Sequence, residues 1–165
     1  LELSKIQNGT AAFNIRKTEA GEIFGPVCEK YSAMCSLLEI DFMIGDNINN
    51  IDEICTDPVY MSQLLDILLS NAVKFADKEN GVVRLDAELS KKKAVISVSD
   101  NGIGISREEL PHIFDRFYRG KNALTLPGSG LGLSIAREIV IGLKEKIWIE
   151  SEEGKGTSVN FTVTR

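Results

Sequence analysis

Histidine and cysteine are scarce in this 165-residue sequence, which contains one histidine and three cysteines. Cys28, Cys35 and Cys55 have neither the spacing of a zinc site nor that of a redox pair. We therefore interpret them as reduced thiols in the core, which suits a reducing compartment. The cysteine pattern thus gives no sign of a metal cluster or of a disulfide framework.

Long apolar runs and an excess of basic residues are also absent. No stretch approaches the ~20 apolar residues that cross a bilayer, and no signal peptide is visible. The net charge of −5 argues against a general nucleic-acid-binding protein, which presents a basic surface. We expect a cytoplasmic domain that contacts neither nucleic acid nor membrane. Since the sequence begins at Leu1 rather than at methionine, we expect a piece of a longer protein, with a membrane anchor elsewhere in the parent left open.

The sequence contains an alternation of helical and strand patterns. Asp57 and Pro58 form a helix start, because aspartate caps the helix and proline suits its first position. Ser106 and Glu109 have the spacing of a capping box. The order of elements favours an α+β sandwich, with one mixed sheet and helices on one face, over a doubly wound parallel sheet. The patterns predict helices over 1–6, 22–38, 57–76 and 131–143 with a short one after 106, and strands over 12–16, 39–44, 51–56, 82–88, 94–99, 146–151 and 158–163.

Asn71 lies on the apolar stripe of the helix predicted over 57–76, between Leu68 and Phe75. An amide at such a position is costly unless it is hydrogen-bonded or binds a ligand. One interpretation is a core asparagine satisfied by backbone; the other is an oxygen ligand for a hard cation such as Mg²⁺. Lys74 and Phe75 follow on the same side of the helix, where they could reach a phosphate and cover a base.

Asp100 ends a predicted strand and precedes two glycines, Gly102 and Gly104. The alternation of the strand places its carboxylate on the buried face. One interpretation is a turn former. The other is an acceptor beside a close backbone approach, which would suit the amino group of adenine and reject guanine.

A second glycine cluster leads directly into the helix predicted over 131–143. Backbone N–H groups at the start of a helix bind phosphate well. The spacing matches neither the dinucleotide-binding fingerprint nor the P-loop. The cluster comprises Gly128, Ser129, Gly130, Leu131, Gly132 and Leu133.

Taken together, these segments resemble the catalytic, ATP-binding domain of bacterial two-component sensor histidine kinases. The same superfamily includes DNA gyrase, mismatch-repair ATPases and heat-shock chaperones. The resemblance covers nearly the whole chain, and the phenylalanine box separates the kinases from the other ATPases. The asparagine box corresponds to residues 68–75, the first glycine box to 100–104, the phenylalanine box to 113–119, the second glycine box to 128–136 and the closing hairpin to 150–157.

The resemblance implies a sheet of about five strands against three helices, with ATP and Mg²⁺ as cofactors. Asn71 would hold Mg²⁺, Lys74 the phosphates and Asp100 the adenine amino group, under a mobile lid formed by residues 106–130. No residue of the chain is expected to act as a catalytic base. The expected cofactor-binding residues are Asn71, Lys74, Phe75, Asp100, Gly102, Gly104, Ile105, Arg116, Arg119, Gly128, Ser129, Gly130, Leu131, Gly132, Leu133 and Thr157.

The chain departs from the family pattern at two places. Ile67 stands where a second asparagine is usual, so Mg²⁺ binding would depend more on Asn71 and on water. Leu143, Lys144 and Glu145 replace the usual His-Gly-Gly, so we expect a different end to the last helix.

The expected function is transfer of the γ-phosphate of Mg-ATP to a histidine on a separate dimerisation domain. Residues 1–9 would be the end of that domain's helix, and residues 10–165 the catalytic domain. The sole histidine, His112, lacks the context of a phosphoacceptor. The partners would be the dimerisation domain of the same parent protein and a downstream response regulator. The alternatives are a stand-alone serine kinase of the anti-sigma type and a degenerate nucleotide-binding regulatory module.

Overall fold

The structure is a computed structural model, and it describes residues 3–121, 128 and 130–165. Two short 3-10 helices, Asp46–Asn50 and Leu110–His112, lie in loops. The α-helices are α1 (Leu3–Gln7), α2 (Ala20–Leu37), α3 (Pro58–Phe75) and α4 (Gly132–Gly142), and the strands are β1 (Arg16–Glu19), β2 (Asp41–Ile44), β3 (Glu53–Thr56), β4 (Val82–Leu89), β5 (Lys93–Asp100), β6 (Ile147–Glu152) and β7 (Gly156–Thr164).

The strands form one mixed sheet in the order β1-β3-β7-β5-β4-β2, and β6 pairs with β7 beside β3. The β2–β4 pair is parallel, and the other pairs are antiparallel. The register places Asp100, the last residue of β5, opposite Thr157 near the start of β7. The Asp100 carboxylate therefore lies at the same end of the sheet as the hairpin between β6 and β7.

One face of the sheet packs against α2, α3 and α4. On β5, Ala94, Ile96 and Val98 are buried, as the period of two in a strand predicts. They share one hydrophobic core with Leu64 and Leu68 of α3. The predicted α+β sandwich is confirmed, although the described residues form seven strands rather than about five.

The start of α3 follows from its sequence. The Asp57 carboxylate accepts hydrogen bonds from the backbone N–H groups of Val59 and Tyr60, at 3.0 and 3.4 Å. Its second oxygen accepts from Asn14 N–H at 2.9 Å, which ties the segment before β1 to the helix. The predicted cap is thus confirmed, and it positions the helix that carries Asn71 and Lys74.

Two local predictions were wrong. The strand expected over 12–16 lies later, at Arg16–Glu19, because it pairs with β3 in the register Arg16 to Thr56. Ser106 and Glu109 do contact each other, at 3.2 Å from Oγ to Oε2, but only the 3-10 helix Leu110–His112 follows.

The last helix ends differently from the family pattern, as expected. Lys144 adopts a left-handed φ of 62°, and its N–H donates to Ile141 O while Glu145 N–H donates to Val140 O. These are the two hydrogen bonds of a helix terminus that usually contains glycine. Glu145 then accepts from Lys93, Thr162 and Thr164, which anchors the helix end to the sheet.

Candidate functional site

A cavity of about 410 Å³ opens between α3, the end of β5 and the segment that precedes α4. Most of the residues singled out in the sequence lie around it, although they come from distant parts of the chain. The predicted residues that line the cavity are Asn71, Lys74, Phe75, Asp100, Gly104, Ile105, Arg119, Gly128, Gly130, Gly132, Leu133 and Thr157.

The strand side of the cavity is the wall formed by Asp100, Ile103, Gly104, Ile105 and Thr157. Gly102 N–H donates to the Asp100 carboxylate at 2.9 Å. Burial raises the pKa of Asp100 to about 6, although backbone N–H groups of Gly102 and Thr157 oppose the shift. The carboxylate is therefore a half-buried hydrogen-bond acceptor at the end of a strand, and water solvates its charged form only in part.

Two glycines allow this wall to pack closely. A Cβ on Gly102 would lie 1.6 Å from the carbonyl oxygen of Phe75, so only glycine fits between β5 and α3. Gly104 has a φ of 68°, and a Cβ there would lie 2.1 Å from the carbonyl oxygen of Glu152. The first glycine box thus serves close backbone contact, and Gly102 acts behind the cavity wall rather than in it.

Asn101 fixes the same loop from the outside. Its Oδ1 accepts from the N–H groups of Val82 and Asp77 at 2.8 and 3.3 Å, and its Nδ2 donates to Asn80 O at 2.7 Å. The loop is also tied to the β6–β7 hairpin, since Ile105 N–H donates to Ser151 Oγ at 2.8 Å. The strand side is therefore held by hydrogen bonds on both flanks.

The loop side of the cavity is the wall formed by Lys74, Arg119, Gly128 and Gly130. A Cβ on Gly128 would lie 2.5 Å from Lys74 Nζ, so the ammonium group contacts the second glycine cluster. Burial lowers the pKa of Lys74, and the nearby positive charge of Arg119 lowers it further. Two cations that face one cavity are suited to a ligand with several negative charges.

Helix α4 begins at this wall. No side chain caps its first turn, and Leu131 stands at the capping position. The first N–H groups of a helix without a cap are donors for an anionic group. Leu131 itself does not line the cavity, and Ser129 lies outside the described residues.

Asn71 lies beside the start of α4, because a Cβ on Gly132 would be 3.9 Å from both polar atoms of its amide. The amide lines the cavity, and no described residue hydrogen-bonds to it. Within residues 3–121, 128 and 130–165, no three His, Cys, Asp or Glu side chains converge on a metal site. One amide oxygen fits Mg²⁺ only if a ligand's own oxygen atoms complete the coordination.

Arg116 does not line the cavity. Its Nη2 donates to the carbonyl oxygen of Gln7, the last residue of α1. A cation at a helix C-terminus is favourable, since the unpaired carbonyl groups there carry partial negative charge. Arg116 thus lies outside the cavity in this structure, and its contact with a ligand stays a prediction.

Sequence reasoning missed several residues of the cavity wall. Val98 could have been found, because it lies two residues before Asp100 on the same face of β5. Glu109 and Tyr118 gave no comparable signal, since an acidic and an aromatic residue in a loop have no preferred orientation. Leu68, Ser70, Ala72, Ile103, Ile113, Gly120 and Val159 also line the cavity.

Comparison with known proteins agrees with this geometry. Residues 56–165 match the family model described as histidine kinase-, DNA gyrase B-, and HSP90-like ATPase. The chain belongs to this ATPase family. The resemblance predicted from the asparagine and glycine boxes is therefore confirmed.

Its relatives in this ATPase family include sensor histidine kinases. Sensor histidine kinase WalK of Bacillus subtilis is 35% identical over 170 residues, which are 99% of this chain and 27% of WalK. The chain spans about a quarter of the length of the curated relatives it matches.

Solved structures of this ATPase family include the catalytic domain of histidine kinase ThkA. It superposes with a TM-score of 0.76 at 28% identity, covering 92% of this chain and 95% of that domain. ThkA in complex with response regulator protein TrrA superposes with a TM-score of 0.77 at 25% identity, covering 98% of this chain and 46% of that chain.

Proposed function

We propose that this chain binds Mg-ATP and transfers the γ-phosphate to a histidine on a separate dimerisation domain, as the catalytic domain of a two-component sensor kinase. The observation that carries the proposal is the arrangement of one cavity with an acceptor carboxylate on its strand side and two cations on its loop side. Adenine has an amino donor and triphosphate has the negative charge, so one molecule satisfies both walls.

Asp100 would accept a hydrogen bond from the adenine amino group. Lys74, Arg119 and the first turn of α4 would neutralise the phosphates, and the Asn71 amide oxygen would hold Mg²⁺. A bound Mg²⁺ would supply neutralisation of the negative charge of the phosphate groups. The roles of these side chains are binding and orientation, which is what phosphoryl transfer requires of a protein.

The transfer itself needs a nucleophile from another domain. An imidazole nitrogen would attack the γ-phosphorus of ATP. The bond between the γ-phosphorus and the oxygen that links it to the β-phosphate would break, and ADP would leave. The sole histidine, His112, does not line the cavity, and its Nδ1 lies 3.3 Å from the Asp115 carboxylate. We infer that the acceptor lies in the parent protein.

The proposal extends to the partners. Residues 1–9 would connect to the dimerisation domain, with α1 docked on α4 through the buried side chain of Ile6. The ThkA–TrrA complex supports a response regulator as the downstream partner. Among the described residues, no helix is long and apolar enough to span a membrane.

Incubation with γ-labelled ATP tests this function. The chain alone should acquire no label, and a separately made dimerisation domain of the same parent should become labelled when both are mixed. The label should be acid-labile, as phosphohistidine is, and should persist with His112→Ala. Acid-stable label on this chain, or on a serine of a protein partner, would contradict the proposal and favour a serine kinase on the same fold.

A further inference from the structure

Glu109 is a residue of the cavity wall for which the proposed ATP contacts give no role. A carboxylate repels phosphate, so its presence beside two cations requires another explanation. Its oxygens accept from Lys121 N–H at 2.7 Å and from Ser106 Oγ at 3.2 Å. The Tyr118 hydroxyl is also close enough to contribute to lowering the pKa of Glu109.

These donors come from the two ends of one segment. Ser106 precedes the 3-10 helix Leu110–His112, and Lys121 lies twelve residues beyond Glu109. The carboxylate therefore closes a loop of the chain through its own hydrogen bonds. A charged acceptor makes stronger hydrogen bonds than a neutral one, so this closure is worth more than an ordinary turn contact.

The closed loop carries three residues of the cavity wall. Tyr118, Arg119 and Gly120 line the cavity, and all three lie between the donors that Glu109 joins. After Leu110–His112, this segment has no helix or strand up to Lys121. Phe117 N–H donates to Gly130 O at 3.0 Å and supports the middle of the loop. The contact at Lys121 is what fixes its far end.

The geometry points to Glu109 as a positioning residue that holds Tyr118–Lys121 against the cavity, so that the guanidinium of Arg119 faces the phosphate groups of the ligand. This inference rests on the proposed function for the identity of the ligand. It goes beyond that function because it assigns Glu109 an effect through the backbone of Lys121, to which it is hydrogen-bonded, and not through the ligand. If Glu109 served only its contact with Ser106, removal of the Glu109 carboxylate would leave the Lys121 amide unaffected.

Amide hydrogen exchange in the ligand-free chain tests the positioning step without any nucleotide. Glu109→Ala should accelerate exchange at the Lys121 amide by about tenfold to a hundredfold, the equivalent of one charge-assisted hydrogen bond. Glu109→Gln keeps an acceptor oxygen and should give an intermediate rate. Glu108→Ala, at the exposed neighbouring position, is the matched control and should leave the rate unchanged. An unchanged Lys121 rate in Glu109→Ala would overturn the inference.

Ligand titration tests the consequence. Glu109→Ala should weaken ATP binding by about tenfold and adenosine binding by less than about twofold, since adenosine lacks the phosphates that Arg119 would face. Chemical-shift titration measures the weaker ligand. Equal losses for both ligands would indicate general destabilisation and would contradict a positioning role. If the unaltered chain bound no ATP, the proposed function would fail, and the exchange experiment would still decide what Glu109 does.

Discussion

The two walls of the cavity are built in different ways. The strand side consists of the end of β5 and its glycine box, where Ser151 accepts a hydrogen bond and Asn101 both accepts and donates. Two hydrogen bonds connect the segments of the loop side: Phe117 N–H donates to Gly130 O, and Lys121 N–H donates to the Glu109 carboxylate. Regular strands thus support one wall, and single contacts between loops support the other.

Under the proposed function, each wall has a separate task. A preformed wall suits recognition of a rigid, planar base, because the acceptor is in place before the ligand arrives. The loop side suits a flexible triphosphate, since a cation on a loop, as Arg119 is, can adjust as the ligand changes. Substitutions on the strand side should therefore affect folding and base selection together, and those on the loop side should affect phosphate and metal dependence alone.

The largest effect is expected for Gly102→Ala. The new Cβ would overlap the carbonyl oxygen of Phe75, and backbone cannot move aside as a side chain can. We expect a loss of about 3 kcal/mol in the free energy of unfolding, the upper part of the range for overpacked sites, together with loss of ATP binding. Urea denaturation and calorimetric titration measure the two effects.

Gly21→Ala is the control for that substitution. Gly21 lies in α2, and a Cβ there would meet no atom within 4 Å beyond its neighbours and the backbone of its own helix, so alanine should stabilise the chain by about 0.5–1 kcal/mol. If Gly102→Ala were as harmless as Gly21→Ala, the close contact between β5 and α3 would not be required.

Asp100→Ala should weaken ATP binding by roughly 1.5–3 kcal/mol, the usual contribution of a hydrogen bond to a charged group. GTP, which has an oxygen at the corresponding position, should bind poorly to the unaltered chain. Calorimetric titration with both nucleotides measures this. Unchanged ATP affinity in the variant would remove Asp100 from the base pocket.

The pH dependence of binding should also reflect the strand side. Burial raises the pKa of Asp100 to about 6, so its carboxyl group is mostly ionised at pH 7 and mostly protonated at pH 5. ATP affinity should therefore fall by about tenfold from pH 7 to pH 5 through this group. Asp100→Asn should lack this step, so the difference between the two chains isolates it from titration of the phosphates.

The ligand-free fold should respond to pH in the opposite direction. A carboxyl whose folded pKa lies above its unfolded value takes up protons on folding, so its contribution to stability grows as the pH falls from 6 towards 4. Asp100→Asn should remove this contribution. A stability difference between the two chains that did not change with pH would contradict the raised pKa.

Local sequence signals predicted the strand side better than the loop side. The Asp57–Pro58 cap, the β4–β5 hairpin and the alternation that orients Asp100 each depend on residues close together in the sequence. The position of β1 was misjudged because its register is set by β3, some 40 residues away, rather than by its own pattern.

On the loop side, the sequence predicted the segment that lines the cavity but not the orientation of its side chains. Arg116 and Arg119 are three residues apart in the same motif, yet only Arg119 lines the cavity. Arg116 instead meets the end of α1, a contact between residues 109 positions apart that no local pattern encodes. Glu109 was missed for the same reason, since its partner Lys121 belongs to a loop without periodicity.

The smallest effect is expected for the metal. Asn71→Ala should leave the fold intact and abolish most of the enhancement of ATP binding by Mg²⁺, about fivefold for one neutral oxygen ligand. Titrations with Mg²⁺ and with a chelator, alongside thermal melts, measure both properties. A variant that unfolds with and without ligand would show that Asn71 is a structural core asparagine.

Ile67→Asn should change the metal dependence in the other direction. Ile67 lies one helical turn before Asn71, and its side chain is 3.6 Å from the Cβ position of Gly132 at the start of α4. A second amide there would add an oxygen near the first, so the Mg²⁺ enhancement should increase. Ile67→Val, which shortens the side chain without adding a ligand, is the matched control and should leave the enhancement as it is. Loss of the Mg²⁺ effect in Asn71→Ala without any gain in Ile67→Asn would place the metal on the side of Asn71 away from α4.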